Sequence, residues 1–188
     1  MIGKPRLLVL LSGPLAVGKT TLRDYLVGTH AFDYVRSSAF LLNKARREGI
    51  PADRRGLQEL GDRLDAETDF RWIVDGVALP SLSASPSKTR WLVDAVRKPK
   101  QVEHFKALED VNVVHVHLTA PEDILRKRYE ATLAGSTVGL SAASYEAAIS
   151  HPNEVAARSL IQIADIVVDV TDGDTPGHAQ LILSRLGD

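Results

Sequence analysis

The sequence contains no cysteine, which removes disulfides, thiolate metal sites and cysteine nucleophiles from the chemistry open to it. A reducing cytoplasm is the compartment that such a chain suits. Neither sign of charge prevails. The 23 Lys and Arg stand against 24 Asp and Glu, and a net charge of -1 gives no general attraction to a nucleic-acid backbone, so a nucleic-acid partner is disfavoured. No apolar run is long enough to cross a bilayer. The run at residues 1–11 is short and leads into a glycine-rich loop instead of a cleavage site, so neither a targeting segment nor a membrane partner is expected. What is present is 188 residues with 44% hydrophobic content, enough for one domain that folds without staples.

Arg6-Leu-Leu-Val-Leu-Leu11 is a continuous apolar run of the kind found in a parallel strand buried on both faces, and it is expected to be the central strand. After it, Leu22, Leu26 and Val27 share one helical face, and Phe32-Asp-Tyr-Val35 suggests a second strand. A helix from Ser38 to Glu48 is stopped by Gly49-Ile-Pro51. The spacing of Leu57, Leu60, Leu64, Ile73 and Val77 predicts a long or broken helix from about Asp53, and the polar residues Ser81 to Ser87 predict a loop. Two similar words, Arg71-Trp-Ile-Val-Asp-Gly-Val77 and Arg90-Trp-Leu-Val-Asp-Ala-Val96, are assigned differently. The first continues a helical pattern and the second, after a Pro/Ser-rich stretch and before Lys98-Pro99, is a strand.

A helix is expected over 100–108. Val111-Asn-Val-Val-His-Val-His-Leu118 then carries the clearest strand signal, with Thr119 predicted to cap the next helix and Pro121 within its first turn. Residues 134–141 show no strong period. A helix from Asn153 to Ile163, a strand at 166–170 and a last helix with Leu181, Ile182 and Leu186 inward complete the pattern. Strands alternating with helices predict an α/β fold: a three-layer arrangement with a parallel sheet of about five strands.

Between the first strand and first helix stands Gly13-Pro-Leu-Ala-Val-Gly18-Lys19-Thr20, which satisfies GxxxxGK[ST]. Such a loop turns backbone N–H groups inward around phosphate oxygens at the positive end of the following helix. Gly13, Pro14, Leu15, Ala16, Val17, Gly18, Lys19, Thr20 and Thr21 are therefore the candidate ATP-binding residues, with Lys19 reaching the β/γ-phosphates and Thr20 ligating Mg²⁺. The motif fixes nucleotide binding and leaves the fate of the phosphate open.

Four passages extend the pattern: residues 11–21; Leu57-Gln-Glu-Leu-Gly61 with Arg63; Val93-Asp-Ala-Val-Arg97 followed by Gln101; and Ala164-Asp-Ile-Val-Val168. Together they resemble small P-loop kinases of the nucleoside monophosphate kinase superfamily, especially deoxynucleoside monophosphate kinases and their dephospho-CoA kinase relatives. No Asn-Lys-x-Asp word supports a GTPase. The resemblance implies that Asp94 serves Mg²⁺, with Asp75 in reserve, and that Arg97 faces the acceptor phosphate. Arg36, Ser38, Arg54 and Gln58, on a helical hairpin spanning about 36–79, are further acceptor candidates, since a monophosphate needs guanidinium forks and amide or hydroxyl donors. It also implies a short lid over about 126–158, with Arg126, Arg128 and Arg158 as candidate catalytic cations; Arg126 is preferred slightly over Arg128. His115 and His117 share one strand face, which suits hydrogen-bonded core histidines better than a metal pair because no third ligand accompanies them.

The expected activity is transfer of the γ-phosphate of Mg-ATP to a small nucleotide-like acceptor, most simply a (deoxy)nucleoside monophosphate. Two alternatives stand beside it: a kinase for another hydroxyl, including a modified base in DNA, and a nucleotide-binding regulatory module that does no transfer. The oligomeric state is open.

Overall fold

The computed structural model describes residues 6–135 and 144–187, apart from the side chain of Arg54. Among the described residues five strands, β1 (Arg6–Ser12), β2 (Asp33–Tyr34), β3 (Arg90–Val93), β4 (Val111–Thr119) and β5 (Ile166–Asp169), form one sheet in the order β2-β3-β1-β4-β5. Every pairing is parallel. β1 lies at the centre, as its apolar run requires: alternate residues serve opposite faces. Leu8 and Leu10 join one core with Ile73, Val77, Leu82 and Phe105, and Val9 and Leu11 join the other with Leu22, Leu26 and Ile182. All four β1 residues are fully buried.

One layer holds α2 (Ser37–Glu48), α3 (Arg54–Glu67), α4 (Leu79–Ala84) and α5 (Pro99–Lys106). The other holds α1 (Lys19–Thr29), α6 (Glu122–Ala134) and α9 (Thr175–Leu186), and the short helices α7 (Tyr145–Ile149) and α8 (Pro152–Ser159) lie between α6 and β5 in the chain. The fold is therefore a three-layer α/β sandwich with a wholly parallel sheet. No described helix is long and apolar enough to cross a membrane.

The two similar words part as their contexts predict: Arg90–Val93 is β3, while Val74–Ala78 is a π-helical turn continuing into α4. The long helix of 53–77 is broken. Asp69 and Phe70 adopt positive φ, 48° and 68°, and end α3 before the chain turns helical again. Residues 81–84 are helical rather than loop, because Leu82 is drawn into the core at 1% exposure and outweighs the serines. The second strand keeps only two of its four residues. Thr119 does not cap α6; it is the last residue of β4, paired with Asp169, and Pro121 precedes the helix. In α9 Ile182 and Leu186 pack inward as expected, joined by the buried Leu183, whereas Leu181 faces out at 41% exposure. Residues 136–143, the middle of the predicted lid, lie outside the described residues.

In a parallel sheet the carboxyl ends of all strands open on one side, and ligands bind in the crevice there. β1 runs into the glycine-rich loop. β3, its neighbour with Leu10 opposite Val93, runs into Asp94. The topology thus carries two distant candidates to one edge.

Candidate functional site

The loop is shaped by backbone requirements that only some residues meet. Gly13 has φ 144° and a Cβ there would sit 2.6 Å from the Leu118 carbonyl oxygen, so any side chain at Gly13 would push the loop off β4. Gly18, with φ 103°, is the turn into α1. Ala16 holds φ 62° without being glycine, a left-handed conformation that costs about 1 kcal/mol.

Beneath the loop, the Ser12 hydroxyl lies between two buried imidazoles, 2.6 Å from His115 Nε2 and 2.8 Å from His117 Nδ1. His115 Nδ1 faces the Ile163 carbonyl at 3.3 Å, which can only accept. His115 therefore carries its proton on Nδ1 and accepts the Ser12 O–H on Nε2, leaving His117 Nδ1 to donate to the Ser12 oxygen. Burial, with His115 and Lys19 nearby, pushes His117 down to about 4, so this ring stays neutral. The pair is a satisfied polar core that anchors the loop, and among the described residues no group of three metal-ligating side chains forms.

Lys19 folds back over the loop, its Nζ donating to the carbonyls of Gly13 at 2.6 Å and Pro14 at 2.9 Å. Burial pushes its ammonium down to about 8, with Arg97 acting in the same direction and Glu154 and Asp94 opposing. The sign is consequential. A lysine depressed in the folded state disfavours folding below about pH 8 and recovers that cost as pH rises toward its unfolded value, whereas a bound polyphosphate demands the charged form. If the loop takes a nucleotide, its affinity should therefore fall as pH rises through about 8, and a titration of Mg-ATP affinity between about pH 7 and 10 checks it, with Lys19→Arg expected to flatten the curve.

A cleft of about 1110 Å³ opens over the loop, and Gly13, Lys19, Thr20, Asp94, Arg97 and Arg128 all line it. Leu15, Ala16, Val17, Gly18 and Thr21 line it as well, and Pro14 enters through its carbonyl bond to Lys19. Asp94, with its side chain 12% exposed, accepts from Tyr34 Oη at 2.7 Å on one oxygen and from Arg23 at 2.9 Å on the other. Burial and the bond to Asp94 push the Tyr34 phenol up to about 12. Arg128 donates to the carbonyls of Val17 at 3.3 Å, Val170 at 2.8 Å and Thr171 at 3.3 Å, which ties the loop to the turn after β5.

The remaining candidates divide. Gln58 lines the cleft and meets His151, the residue just before α8, at 2.6 Å. Arg36 and Ser38 are exposed and do not line the cleft, and the side chain of Arg54 lies outside the described residues. Asp75 is paired with Arg71 on the surface, away from the cleft. Arg126 pairs with Glu146 and lies over the Tyr145 ring at 4.8 Å, outside the cleft lining, whereas Arg128 lines the cleft beside the loop. Arg158 does not line the cleft either; it bonds Glu122, the Tyr145 hydroxyl and, at 3.0 Å, Glu154.

Several side chains of the site escaped sequence reasoning. Arg23 stands one turn after Lys19 on α1, a spacing that puts both on one face and could have flagged it. Tyr34 had no such signal. Glu154 accepts the Leu15 N–H at 2.8 Å across 139 positions of sequence, a contact that only the fold creates. Gln101, already part of the Val93–Arg97 passage, gave no sign of its role there: it is buried and fastens that segment, its side chain accepting from the N–H groups of Arg97 at 2.8 Å and Lys98 at 3.2 Å and donating to Asp65 at 3.0 Å.

No protein-family model and no curated protein matches the sequence. Solved structures do match in shape. A protein from Chloroflexus aurantiacus j-10-fl described as a "putative kinase" superposes with a TM-score of 0.59 at 17% identity, covering 98% of each chain. A sugar kinase from Janibacter sp. HTCC2649 superposes with a TM-score of 0.51 at 16% identity, over 97% of this chain and 94% of that one. At such identities the likeness concerns architecture, and the architecture is a kinase-like three-layer α/β fold with a five-stranded parallel sheet.

Proposed function

We propose that the protein is a phosphotransferase that takes the γ-phosphoryl group of ATP on the loop Gly13–Thr20 and delivers it to a (deoxy)nucleoside monophosphate. The observation that carries this reading is the meeting of Lys19, Asp94 and Arg97 in one cleft at the carboxyl ends of β1 and β3. The loop N–H groups and Lys19 hold the phosphates, so that charge moving to the β/γ-bridging oxygen meets fixed donors instead of reorganising water. Arg97 presents a planar fork to the acceptor phosphate, whose oxygen attacks the γ-phosphorus as the bridging bond breaks.

The oxygen donors Thr20 and Asp94 suit Mg²⁺, since each Asp94 oxygen spends one acceptor position on Arg23 or Tyr34 and keeps another for a metal-bound water. When bound, the ion would neutralise β- and γ-oxygen charge.

A second reading is favoured by the cations present. Among the described residues lining the cleft, the lysines and arginines are Lys19, Arg97 and Arg128, and Arg128 is committed to three carbonyls. The acceptor side otherwise offers Gln58, His151 and Asn153, amide and imidazole groups that suit the hydroxyls of a polyhydroxylated acceptor such as a sugar, the substrate class in the name of one structural neighbour.

The test is a screen of nucleotides, sugars and oligonucleotides with γ-labelled ATP, followed by Arg97→Ala on whichever acceptor takes the label. For a monophosphate, losing the guanidinium should weaken acceptor affinity about ten- to a hundredfold and leave ATP affinity unchanged. Label on a sugar, with Arg97→Ala at normal acceptor affinity, favours the second reading. ATP binding with no label transferred to any acceptor would sink both and leave a regulatory module.

A further inference from the structure

Glu154 is the least expected member of the site. Its side chain is 14% exposed, and Oε1 accepts both the Leu15 N–H at 2.8 Å and Arg158 Nε at 3.0 Å. An acidic group is thus seated on a loop whose backbone is shaped to receive anions. Leu15 lies at the end of the loop remote from the first turn of α1, so its N–H is the one left for the outermost phosphate once the groups at Gly18 to Thr20 hold the inner ones.

We propose that Glu154 is the terminal-phosphate sensor of this site: its carboxylate and the γ-phosphate compete for the Leu15 N–H, so a triphosphate, and not a diphosphate, displaces α8 from the loop. This rests on the reading that the loop binds a nucleoside triphosphate. The competition follows from charge. One N–H can satisfy one anion, and a carboxylate left beside a terminal phosphate adds like-charge repulsion in a partly water-excluded cleft.

Displacement is not prohibitive, because the carboxylate keeps a partner. Arg158 is on the same helix, one turn along, and is itself held by Glu122 at 2.8 Å and by the Tyr145 hydroxyl at 3.3 Å. The consequence reaches the acceptor. α8 begins beside His151, whose Nε2 lies 2.6 Å from the Gln58 side-chain amide nitrogen, and Asn153 donates from its own side-chain amide to Asp62 at 3.0 Å. A movement of Glu154 therefore changes the wall that faces Gln58 on α3, and the filling of the outer phosphate position is transmitted to the acceptor side.

The experiment compares Mg-ATP and Mg-ADP binding by calorimetry in the wild type, Glu154→Gln and Glu154→Ala, with hydrogen exchange of α8 measured in each state. Removing the charge should tighten ATP about three- to tenfold and ADP less than twofold, since only ATP meets the competitor. In the wild type, ATP and not ADP should alter exchange over residues 150–160, and in Glu154→Ala the two nucleotides should act alike. Glu154→Ala removes the acceptor oxygen as well as the charge and leaves Arg158 paired with Glu122, so it gives the same reading if the glutamine variant folds poorly. Equal shifts for ATP and ADP, or weaker ATP binding in both variants, would overturn the proposal while leaving the phosphate loop intact. A wild-type protein that binds neither nucleotide would overturn both.

Discussion

Replacing Lys19 by alanine is expected to abolish phosphoryl transfer, lowering kcat/KM by about two to three orders of magnitude or more, while the protein stays folded. The catalytic half of this expectation comes from position. Lys19 is half-buried at the loop with its ammonium bonded to two loop carbonyls, within reach of the charge of Asp94, Arg97 and Glu154, and no other described lysine lines the cleft. The structural half comes from the sign of its shift. Burial depresses its pKa, so the folded protein carries a charge it would be easier without, and deletion removes that cost. Against it stands the loss of a donor to the Gly13 and Pro14 carbonyls, worth about 1 kcal/mol each. The two effects oppose, and the melting temperature should move by only a few degrees. Steady-state kinetics beside a thermal melt checks both halves. Lys19→Ala turning over at the wild-type rate would remove the loop from the chemistry altogether.

The elements with strong periodicity were legible in advance, and so was the part of the site built from consecutive residues. Arg6 to Leu11 could be placed as the central strand because five apolar residues in a row, Leu7 to Leu11, leave no polar face for solvent. The loop followed from its own glycines. Misreadings arose where tertiary burial overrode local character: four residues of the polar stretch after Leu79 are helical because Leu82 must be covered, and Thr119 stays in β4 because Asp169 pairs with it. Asp94 could be chosen over Asp75 only by deciding which of two nearly identical words is a strand, and the Pro/Ser-rich stretch before Arg90 supplied that decision. The arginines were the weak point. A cation in sequence carries no sign of its partner, and Arg126 and Arg158 meet the carboxylates of Glu146 and Glu122 outside the cleft lining. Conversely Glu154 and Tyr34 bear on the site through contacts spanning 139 and 60 positions, for which no local pattern exists.

Asp94→Asn is expected to remove Mg-dependent turnover, about a hundredfold or more, and to lower the melting temperature as well. The second effect follows from its partners. Asp94 takes the Tyr34 hydroxyl on Oδ1 and the Arg23 guanidinium on Oδ2, and with side chains 12% and 19% exposed this ion pair is screened far less than a surface pair. An amide can accept on one atom only, so either the phenol or the guanidinium loses its acceptor, at about 1–3 kcal/mol, or roughly 2–10 °C for a domain of this size. Asp75→Asn should change neither quantity measurably, since the Asp75 carboxylate is half exposed and pairs with Arg71 at the surface. Loss of stability alone is separated by Tyr34→Phe, which deletes one donor and keeps the carboxylate charged: it should lower the melting temperature and leave the Mg²⁺ dependence of turnover within a few-fold of wild type. The discriminating measurement is turnover against Mg²⁺ concentration for the three variants, taken well below their melts. If Asp94→Asn and Tyr34→Phe lose activity equally, the carboxylate serves the site by holding Arg23 and Tyr34 in place. If only Asp94→Asn loses it, and added Mg²⁺ partly restores the rate, the negative charge itself is what the metal requires.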